Sequence, residues 1–459
     1  MSVNSCATCL EKQIRIDELE EEVKSLRAKV RYQERKEEDG FFGSSTPSSK
    51  KPVKRNSDQR GKKPRGAKPG HTGSGRRGHT DETTDRKVTV EPAGETCPDC
   101  GAGLEKKGWA NRSVMDTPHK KAERITYRLA KRYCPHCRRN VTSQPPGVLP
   151  RSLYGNQFIA DAVEMHYLHG MPMGRVCEYL NIGPGSLSKL YRRCAGLFGE
   201  MPEKLIQEYR RAPVKHADET GWRTNGRNGY VWLFATPDLS VFQFGKNRSA
   251  KVPQAIFGKE PLSGTLVVDR YAAYNKTPCG IQYCYAHLLR NVEDLLKEFP
   301  DEDEVSTFVA VVAPQLALAM GLRRQKISDR KFYRRARKLR EEIKTVMAQA
   351  AHHQAIRRIQ DIFRENEDRL YHWAQDRAVP ADNNLAERDL RPSVIARKVS
   401  FGSITDAGAK IRSTLTSVAA SIKKRGGNVA NRIKEALDHL AQNPEADPFS
   451  ILFRSENPP

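Results

Sequence analysis

The chain has 459 residues, with 79 Lys and Arg against 55 Asp and Glu, which gives a net charge of +24. This length predicts two to four structural units. The positive excess is large for an enzyme that acts on small neutral substrates, and it favours a polyanionic partner, since basic side chains displace the counterions of phosphates. A merely basic, solvated surface stays open. An anionic membrane is a weaker alternative because no basic amphipathic helix or lipidation signal is evident.

The sequence contains no uninterrupted apolar run of the ~20 residues that span a bilayer. Its first residues also lack the apolar core of a secretion signal. Six of the ten Cys form three Cys-x-x-Cys pairs, which in such a chain indicate metal binding and not disulfides. We therefore expect a cytoplasmic protein without a membrane partner.

Residues 10–39 predict a coiled coil. Apolar residues recur at spacings of 3 and 4, with β-branched residues at the a positions and Leu at the d positions: Ile16, Leu19, Val23, Leu26 and Val30. This combination favours two parallel strands. A homodimer or a higher assembly is expected, although a single solvated helix is the alternative for so short a repeat.

Residues 40–90 are rich in Gly, Pro, Ser, Lys and Arg and poor in apolar residues. Such a composition predicts a disordered basic linker. As an arm that follows DNA phosphates it would use its basic side chains, and the alternative is a linker without a ligand. The candidate DNA-binding residues are Arg60, Lys62, Lys63, Arg65, Arg76 and Arg77.

Residues 91–147 predict a structural zinc domain. Two Cys-x-x-Cys pairs, Cys97 with Cys100 and Cys134 with Cys137, form the ligand set of a tetrahedral Zn²⁺ site. The segment 122–133 predicts a hairpin inside a zinc ribbon with a long insertion. A third pair near the N-terminus, Cys6 and Cys9, is a weaker candidate, and its role stays open.

Residues 148–210 predict a helical segment. Helices over 173–180 and 185–193, joined by a short Gly-containing turn, have the pattern of a helix-turn-helix, whose second helix enters the major groove of DNA. An ordinary helical hairpin within a core fits equally well. The residues that would face DNA are Ser186, Ser188, Lys189, Arg192 and Arg193.

Residues 211–415 predict a mixed α/β catalytic domain with an α-helical insertion at about 290–375, followed by a C-terminal helical tail over 416–459. Asp218 follows one β-rich run, and Asp269 ends the apolar run 264–268. Glu387 lies in a predicted helix with Asp382 at its cap. Each acidic residue alone is more often a cap or a surface charge, so the prediction depends on all three together.

Three carboxylates suit phosphoryl transfer with two metal ions. A pair of Mg²⁺ ions (or Mn²⁺) activates the attacking oxygen and stabilises the leaving oxygen, and Mg²⁺ prefers hard oxygen ligands. The sequence therefore predicts cleavage that exposes a 3′-hydroxyl, followed by attack of that hydroxyl on target DNA.

At these residues the chain resembles the insertion sequence 66 family of bacterial transposases. The matching stretches are HADET (216–220), VDRYAAY (268–274), CYAHLLR (284–290), NNLAERDLRP (383–392), RKVSFGS (397–403), FGSS (42–45) and RGAKPGH (65–71). The resemblance covers roughly residues 10–415. It implies a ribonuclease-H-like core with Asp218, Asp269 and Glu387 as the acidic triad, double-stranded DNA as the partner, and accessory proteins from the same element.

The resemblance also suggests roles for residues around the triad. His287 falls on the family's Cys-x-Ala-His motif and is expected to assist near the metals, with a structural role as the alternative. Arg270 stands where many relatives have Gly, and it is expected to contact phosphate or to pair with the triad. The further candidates for phosphate contact are Arg388, Arg391, Arg397 and Lys398.

Two alternatives remain from the sequence. A zinc-containing DNA-binding protein without catalysis explains the charge and the Cys pairs but not the three carboxylates. A related metal-dependent nuclease shares the chemistry but does not require a coiled coil and several DNA-binding modules.

Overall fold

The computed structural model describes residues 145–454 continuously. It also describes the ranges 122–129, 131–134 and 139–142 and, near the N-terminus, Arg15, Ile16, Leu19 and Val23. The chain divides into two compact units, Val53–Glu123 and a second unit formed by Met1–Pro52 and Arg124–Pro459. The predicted basic linker lies outside the described residues. Of the predicted coiled coil, the four described positions are helical, and Ile16, Leu19 and Val23 are exposed.

A two-stranded hairpin is formed by β1 (Lys131–Cys134) and β2 (Arg139–Thr142), which pair antiparallel with Cys134 opposite Arg139. The sequence placed a hairpin over 122–133, and this was wrong because 122–129 contains no strand. β1 instead ends at Cys134, the first residue of the second Cys-x-x-Cys pair.

A helical segment follows. It consists of α1 (Asn156–Val163), a π-helical turn (Glu164–Leu168), α2 (Met173–Leu180), α3 (Pro184–Leu197) and α4 (Met201–Arg211). Helix α2 ends at Asn181, whose φ of 52° is left-handed, and α3 begins with Pro184, where a missing N–H costs little. The two predicted helices and the short turn between them are thus present.

The central sheet has five strands in the order β5-β4-β3-β6-β7. They are β3 (Val214–Thr224), β4 (Arg227–Ala235), β5 (Ser240–Gly245), β6 (Thr265–Val268) and β7 (Gly280–Tyr283), with α5 (Lys251–Phe257) between β5 and β6. Strands β3, β4 and β5 form an antiparallel meander, while β3–β6 and β6–β7 are parallel. A 3-10 turn, Ala272–Tyr274, follows β6.

Helices fill the interval between β7 and the segment that bears Glu387. They are α6 (Tyr285–Glu298), α7 (Asp303–Leu322), α8 (Asp329–Ala348), α9 (Gln354–Glu365) and the short α10 (His372–Gln375). The backbone N–H of Tyr285 donates to the carbonyl of Ala381 at 2.8 Å. This bond brings the two ends of the interval together.

Helix α7 is, among the described residues, one helix whose length and composition would allow it to cross a membrane. The search for an uninterrupted apolar run in the sequence did not find this helix, because Ser306, Thr307 and Gln315 interrupt its apolar residues. One side of α7 is buried and packs against α6. This packing is that of a core helix, so α7 is weak support for a membrane span.

The last helices are α11 (Asn384–Ser400), α12 (Asp406–Lys424), α13 (Val429–Gln442) and α14 (Phe449–Phe453). Helix α11 covers one face of the sheet. Its cap position is Asn383, not Asp382 as the sequence suggested, although the Asp382 carboxylate accepts the Asn384 N–H at 3.2 Å.

Helix α12 protects the edge strand β5. The backbone N–H groups of Ser240 and Phe242 donate to the hydroxyls of Ser421 and Ser417, at 3.1 and 2.8 Å. These bonds satisfy donors that an open sheet edge would expose. The predicted boundary between the catalytic domain and a C-terminal tail, at 415–416, therefore falls inside a helix that belongs to the sheet's surroundings.

Candidate active site at the carboxylate cluster

Asp218 and Asp269 lie side by side on neighbouring parallel strands. The register pairs His216 of β3 with Val267 of β6, and Asp218 and Asp269 are each two residues further along. Neighbouring strands are about 4.8 Å apart. The pairing of β3 with β6 therefore places the two residues next to each other. Asp269 directly follows the end of β6, as expected, whereas Asp218, which was also expected near a strand end, lies in the middle of β3.

Glu387 reaches the same place from helix α11. Trp222 of β3, Val231 of β4 and Ala386 and Leu390 of α11 belong to one buried cluster, which fixes the helix on this face of the sheet. Because side chains alternate along a strand, Asp218 shares the face of Trp222, four residues later. Glu387, in the first turn of α11, is half-buried, and its negative charge raises the pKa of Asp218.

Neighbouring negative charges act on Asp218. Burial raises the pKa of Asp218 well above its usual value, and the negative charges of Glu219, Asp269 and Glu387 raise it further. Burial also raises the pKa of Asp269, which is opposed by the N–H of Tyr271 and by the charges of Arg248 and Arg270. A site with this much concentrated negative charge favours a bound cation.

The residues present fit a divalent cation with a preference for oxygen. Asp218, Asp269 and Glu387 offer carboxylate oxygens, the hard ligands that Mg²⁺ selects. One oxygen of Asp218 accepts the Glu219 N–H at 2.8 Å, and one of Asp269 accepts the Tyr271 N–H at 3.0 Å. Each of these bonds fixes the orientation of its carboxylate.

Glu219 is a fourth acidic residue, which the sequence reasoning missed as a site residue. It is 6% exposed on the opposite face of β3. Arg248 Nε donates to its Oε1 at 2.8 Å, and the Tyr274 hydroxyl donates to its Oε2 at 2.5 Å. Burial and the charge of Asp269 raise the Glu219 pKa, while Arg248 lowers it. Its position directly after Asp218 in the HADET stretch is the sequence feature that could have indicated it as a site residue.

His287 and Arg290 of α6 approach Glu387. His287 Nδ1 lies 4.0 Å and Arg290 Nη2 3.4 Å from Glu387 Oε1. Ligand atoms of Cys284, His287 and Glu387 all lie within 4.8 Å of one another. The structure therefore brings the Cys-x-Ala-His motif to the carboxylate cluster, as the resemblance implied for His287. Arg290 was not anticipated there.

The candidate DNA-binding residues fall into several groups. Lys189 and Arg192 are exposed on α3, and Arg193 is exposed there with its guanidinium bonded to the Pro150 carbonyl. Arg388, Arg391 and Lys398 are exposed on α11, and Arg270 is half-buried beside Asp269. Among the linker candidates, Arg60 through Arg77 lie outside the described residues.

Arg397 is held against the protein. It is half-buried, and its Nη1 donates to the Gly221 carbonyl and, at 3.2 Å, to the Thr220 hydroxyl. These contacts tie the end of α11 to β3. The structure therefore shows a structural use of Arg397 that the sequence did not predict.

The predicted zinc ligands cannot be compared with the structure. Cys97, Cys100 and Cys137 lie outside the described residues, and of Cys134 only the backbone, at the end of β1, is described. Cys6 and Cys9 also lie outside.

Comparison with known proteins gives matches that include these helices and the sheet. The model of the transposase IS66 family matches residues 151–411, from the helical segment through the sheet to α12, including the three carboxylates. "Uncharacterized protein y4qI" of Sinorhizobium fredii (strain NBRC 101917 / NGR234) is 23% identical over 433 residues, which are 84% of this chain and 78% of that protein. Since the family match covers more than half of the sequence, the chain belongs to the IS66 family of transposases.

Proposed function

We propose that this chain cuts DNA at the ends of an insertion sequence and joins those ends to target DNA, using Asp218, Asp269 and Glu387 to hold two Mg²⁺ ions. The observation that carries the proposal is the convergence of three carboxylates from separate segments. Burial raises the pKa of Asp218 well above its usual value, and the negative charges of Glu219, Asp269 and Glu387 raise it further. Such an arrangement is unfavourable without a cation and suits a metal-dependent catalyst.

The sheet supports a ribonuclease-H-like core. Three antiparallel strands are followed by two parallel ones, and the aspartates come from the central strand β3 and its neighbour β6. A helix that follows a long insertion supplies the glutamate. A core of this kind would agree with what the resemblance to the family implies.

The chemistry follows from what the residues hold. A bound pair of Mg²⁺ ions would activate the attacking oxygen and stabilise the leaving oxygen. Asp218 and Asp269 would set the spacing of the site from the rigid sheet, and Glu387 would close it from the helix side. Arg270, beside Asp269, and Arg290, beside Glu387, are placed to contact the phosphodiester that reacts.

The two reactions balance without an external energy source. In the first, water forms a bond to phosphorus as the bond to the 3′-oxygen breaks, which leaves a 3′-hydroxyl at the element end. In the second, that hydroxyl forms a bond to a target phosphorus and displaces another 3′-oxygen. The number of phosphodiester bonds is unchanged in the second reaction, so that reaction needs no energy source. Both reactions displace a 3′-oxygen from phosphorus, so one site suffices for both.

The remaining modules are assigned by the same proposal. The coiled coil at 10–39 would form a homodimer or a higher assembly, and the exposure of Ile16, Leu19 and Val23 supports this. The basic linker and the exposed face of α3 would contact double-stranded DNA. Zinc bound by Cys97, Cys100, Cys134 and Cys137 would be structural. Accessory proteins of the same element are further partners, and the cytoplasm is the expected location.

A cleavage and joining assay on labelled element ends tests the function. The wild type should hydrolyse one strand and then join it to target DNA when Mg²⁺ is present. Asp218→Asn, Asp269→Asn and Glu387→Gln should each abolish both reactions while leaving end binding intact. The matched control is Glu293→Gln, an exposed carboxylate on α6, which should retain full activity.

The same assay separates the alternatives. Hydrolysis without joining would identify a nuclease. Binding without any chemistry would identify a DNA-binding protein that has lost catalysis. Near-wild-type cutting by one of the three variants would remove that residue from the site.

A further inference from the structure

We infer that Asn383 is a positioning residue, which fixes the helix that bears Glu387 against the strands that bear Asp218 and Asp269 and so sets the affinity of the site for divalent cations. The inference rests on the proposed function, in that these carboxylates bind the cations. Asn383 lies at the cap position of α11, four residues before Glu387, and is 1% exposed.

The Asn383 side chain holds β3 immediately before Asp218. Its Nδ2 donates to the Ala217 carbonyl at 2.8 Å, and its Oδ1 lies 2.9 Å from His216 Nδ1. Since Nδ2 is the amide's donor, Oδ1 must accept, and His216 Nδ1 must therefore carry the hydrogen. One carboxamide thus contacts both residues that precede Asp218.

The Asn383 backbone connects the same helix to β6 and β7. Its N–H donates to Cys284 Sγ at 3.2 Å. The Cys284 N–H in turn donates at 2.8 Å to the carbonyl of Val268, the residue before Asp269. The Asn383 carbonyl accepts the Glu387 N–H at 3.2 Å. Hydrogen bonds therefore lead from Asn383 to the segments that carry all three carboxylates.

The cap position makes this use of Asn383 unusual. An Asn at the cap normally accepts an N–H from the first turn of its own helix. Within the described part of the chain, the Asn383 side chain makes no such bond to α11. Its amide is directed to β3, which indicates that the residue serves the junction between strand and helix.

Burial makes the junction stiff. Asn383, His216 and Cys284 are 1%, 2% and 1% exposed, so water cannot replace a lost partner. A buried polar group left without its bond costs about 1–3 kcal/mol. A ligand set must be held within about 0.5 Å of its working geometry. Loss of the Asn383 amide would therefore misplace Glu387 relative to Asp218.

The test measures cation affinity in the full-length protein without DNA. Mn²⁺ binding is followed by calorimetry for the wild type, Asn383→Ala and Asp218→Asn. Substitutions that disturb the supports of metal ligands weaken affinity about 10–100-fold, and we expect a weakening of at least about tenfold for Asn383→Ala. In the cleavage assay the half-saturating Mg²⁺ concentration should rise by a similar factor, with the rate recovering at high Mg²⁺.

Gln360→Ala is the matched control for general destabilisation. Gln360 is a buried amide in α9, and its Nε2 donates to the Gln349 carbonyl at 2.9 Å. Its loss should lower the melting temperature as Asn383→Ala does, but leave Mn²⁺ affinity unchanged. Equal losses of affinity in both variants, or affinity within twofold of wild type for Asn383→Ala, would overturn the inference.

A second pair of variants covers the case in which Asn383→Ala does not fold. His216→Gln keeps a donor for the Asn383 Oδ1, and His216→Leu removes it. We expect His216→Leu alone to weaken Mn²⁺ binding, and equal affinities would overturn the inference. If the wild type and Asp218→Asn bind Mn²⁺ equally, the proposed metal site itself fails, and the inference fails with it.

Discussion

Arg248 forms an ion pair with the buried carboxylate of Glu219, with Nε 2.8 Å from Oε1. The guanidinium carbon of Arg248 also lies 3.8 Å from the centre of the Tyr271 ring. Glu219 follows Asp218 on β3 and points to the other face of the sheet. The pair therefore lies on the face of β3 opposite to Asp218.

Loss of the Arg248 charge should destabilise the protein strongly. Arg248→Ala leaves Glu219 buried without its cation, which typically costs about 3–5 kcal/mol. Urea denaturation measures the change in the free energy of unfolding. The control is Lys246→Ala, since Lys246 and Asp406 form a pair with 84% and 66% exposed side chains, and such pairs contribute at most about 1 kcal/mol. A similarly small effect of both substitutions would contradict the expectation.

Asp218→Asn should stabilise the protein in the absence of divalent cations. The folded state raises the pKa of Asp218, so the stability that this group contributes is present at low pH and is lost as pH rises through the folded pKa. The wild type in EDTA should therefore melt at a lower temperature at pH 8 than the variant does. Each kcal/mol corresponds to roughly 2–4 °C in a domain of this size.

Divalent cations should reverse the order of these two melting temperatures. Added Mg²⁺ should raise the melting temperature of the wild type but not that of Asp218→Asn, because a ligand that binds the folded state stabilises it. Scanning fluorimetry at pH 5 and pH 8 makes the comparison. Identical melting temperatures of the two proteins in EDTA at pH 8 would show that Asp218 is not under electrostatic strain.

Gly402→Ala should detach the loop after α11. Gly402 has a φ of 132°, and a Cβ there would lie 2.1 Å from the Arg223 carbonyl oxygen. The substitution should cost on the order of 1–3 kcal/mol. Hydrogen exchange should accelerate at Ser403 and Asn225, whose N–H groups bond Arg223 and Ser403. Gly174→Ala, in α2 with open space around it, should stabilise by about 0.5–1 kcal/mol.

Removal of zinc should unfold the predicted zinc domain without disturbing the sheet. Elemental analysis should find a stoichiometric zinc ion in the wild type and in Asp218→Asn, and none in Cys97→Ala. Chelation should accelerate hydrogen exchange in β1 and β2 but not in β3. Zinc-free protein with normal protection of β1 would argue that the Cys pairs serve another purpose.

The carboxylates could be found from the sequence because their signals are local. The apolar run that ends at Asp269 predicts a buried strand with a carboxylate at its end, and the residues around Glu387 predict a helix. The mixed α/β class and the helical insertion were confirmed in the same way. A resemblance to known motifs then joined the three residues into one site.

The supports of the site could not be found in this way, because they depend on contacts between distant segments. Nothing near Glu219 indicates Arg248 and Tyr274 as partners, and nothing near Asn383 indicates His216, 167 residues away. The edge contact of Ser417 with β5 was missed for the same reason, which placed a domain boundary inside α12. The hairpin was misplaced because its β-rich flank 122–129 forms no strand.

The bond between Tyr285 and Ala381 closes a loop of chain that contains α7, α8 and α9. The loop also holds its own surroundings, because Arg324 Nη2 lies 3.1 Å from the Asp382 carboxylate at the start of α11 and the Trp373 N–H donates to Gln282 of β7 at 3.1 Å. An insertion in this interval would therefore leave Glu387 in place only if it spared Arg324 and the segment around Trp373.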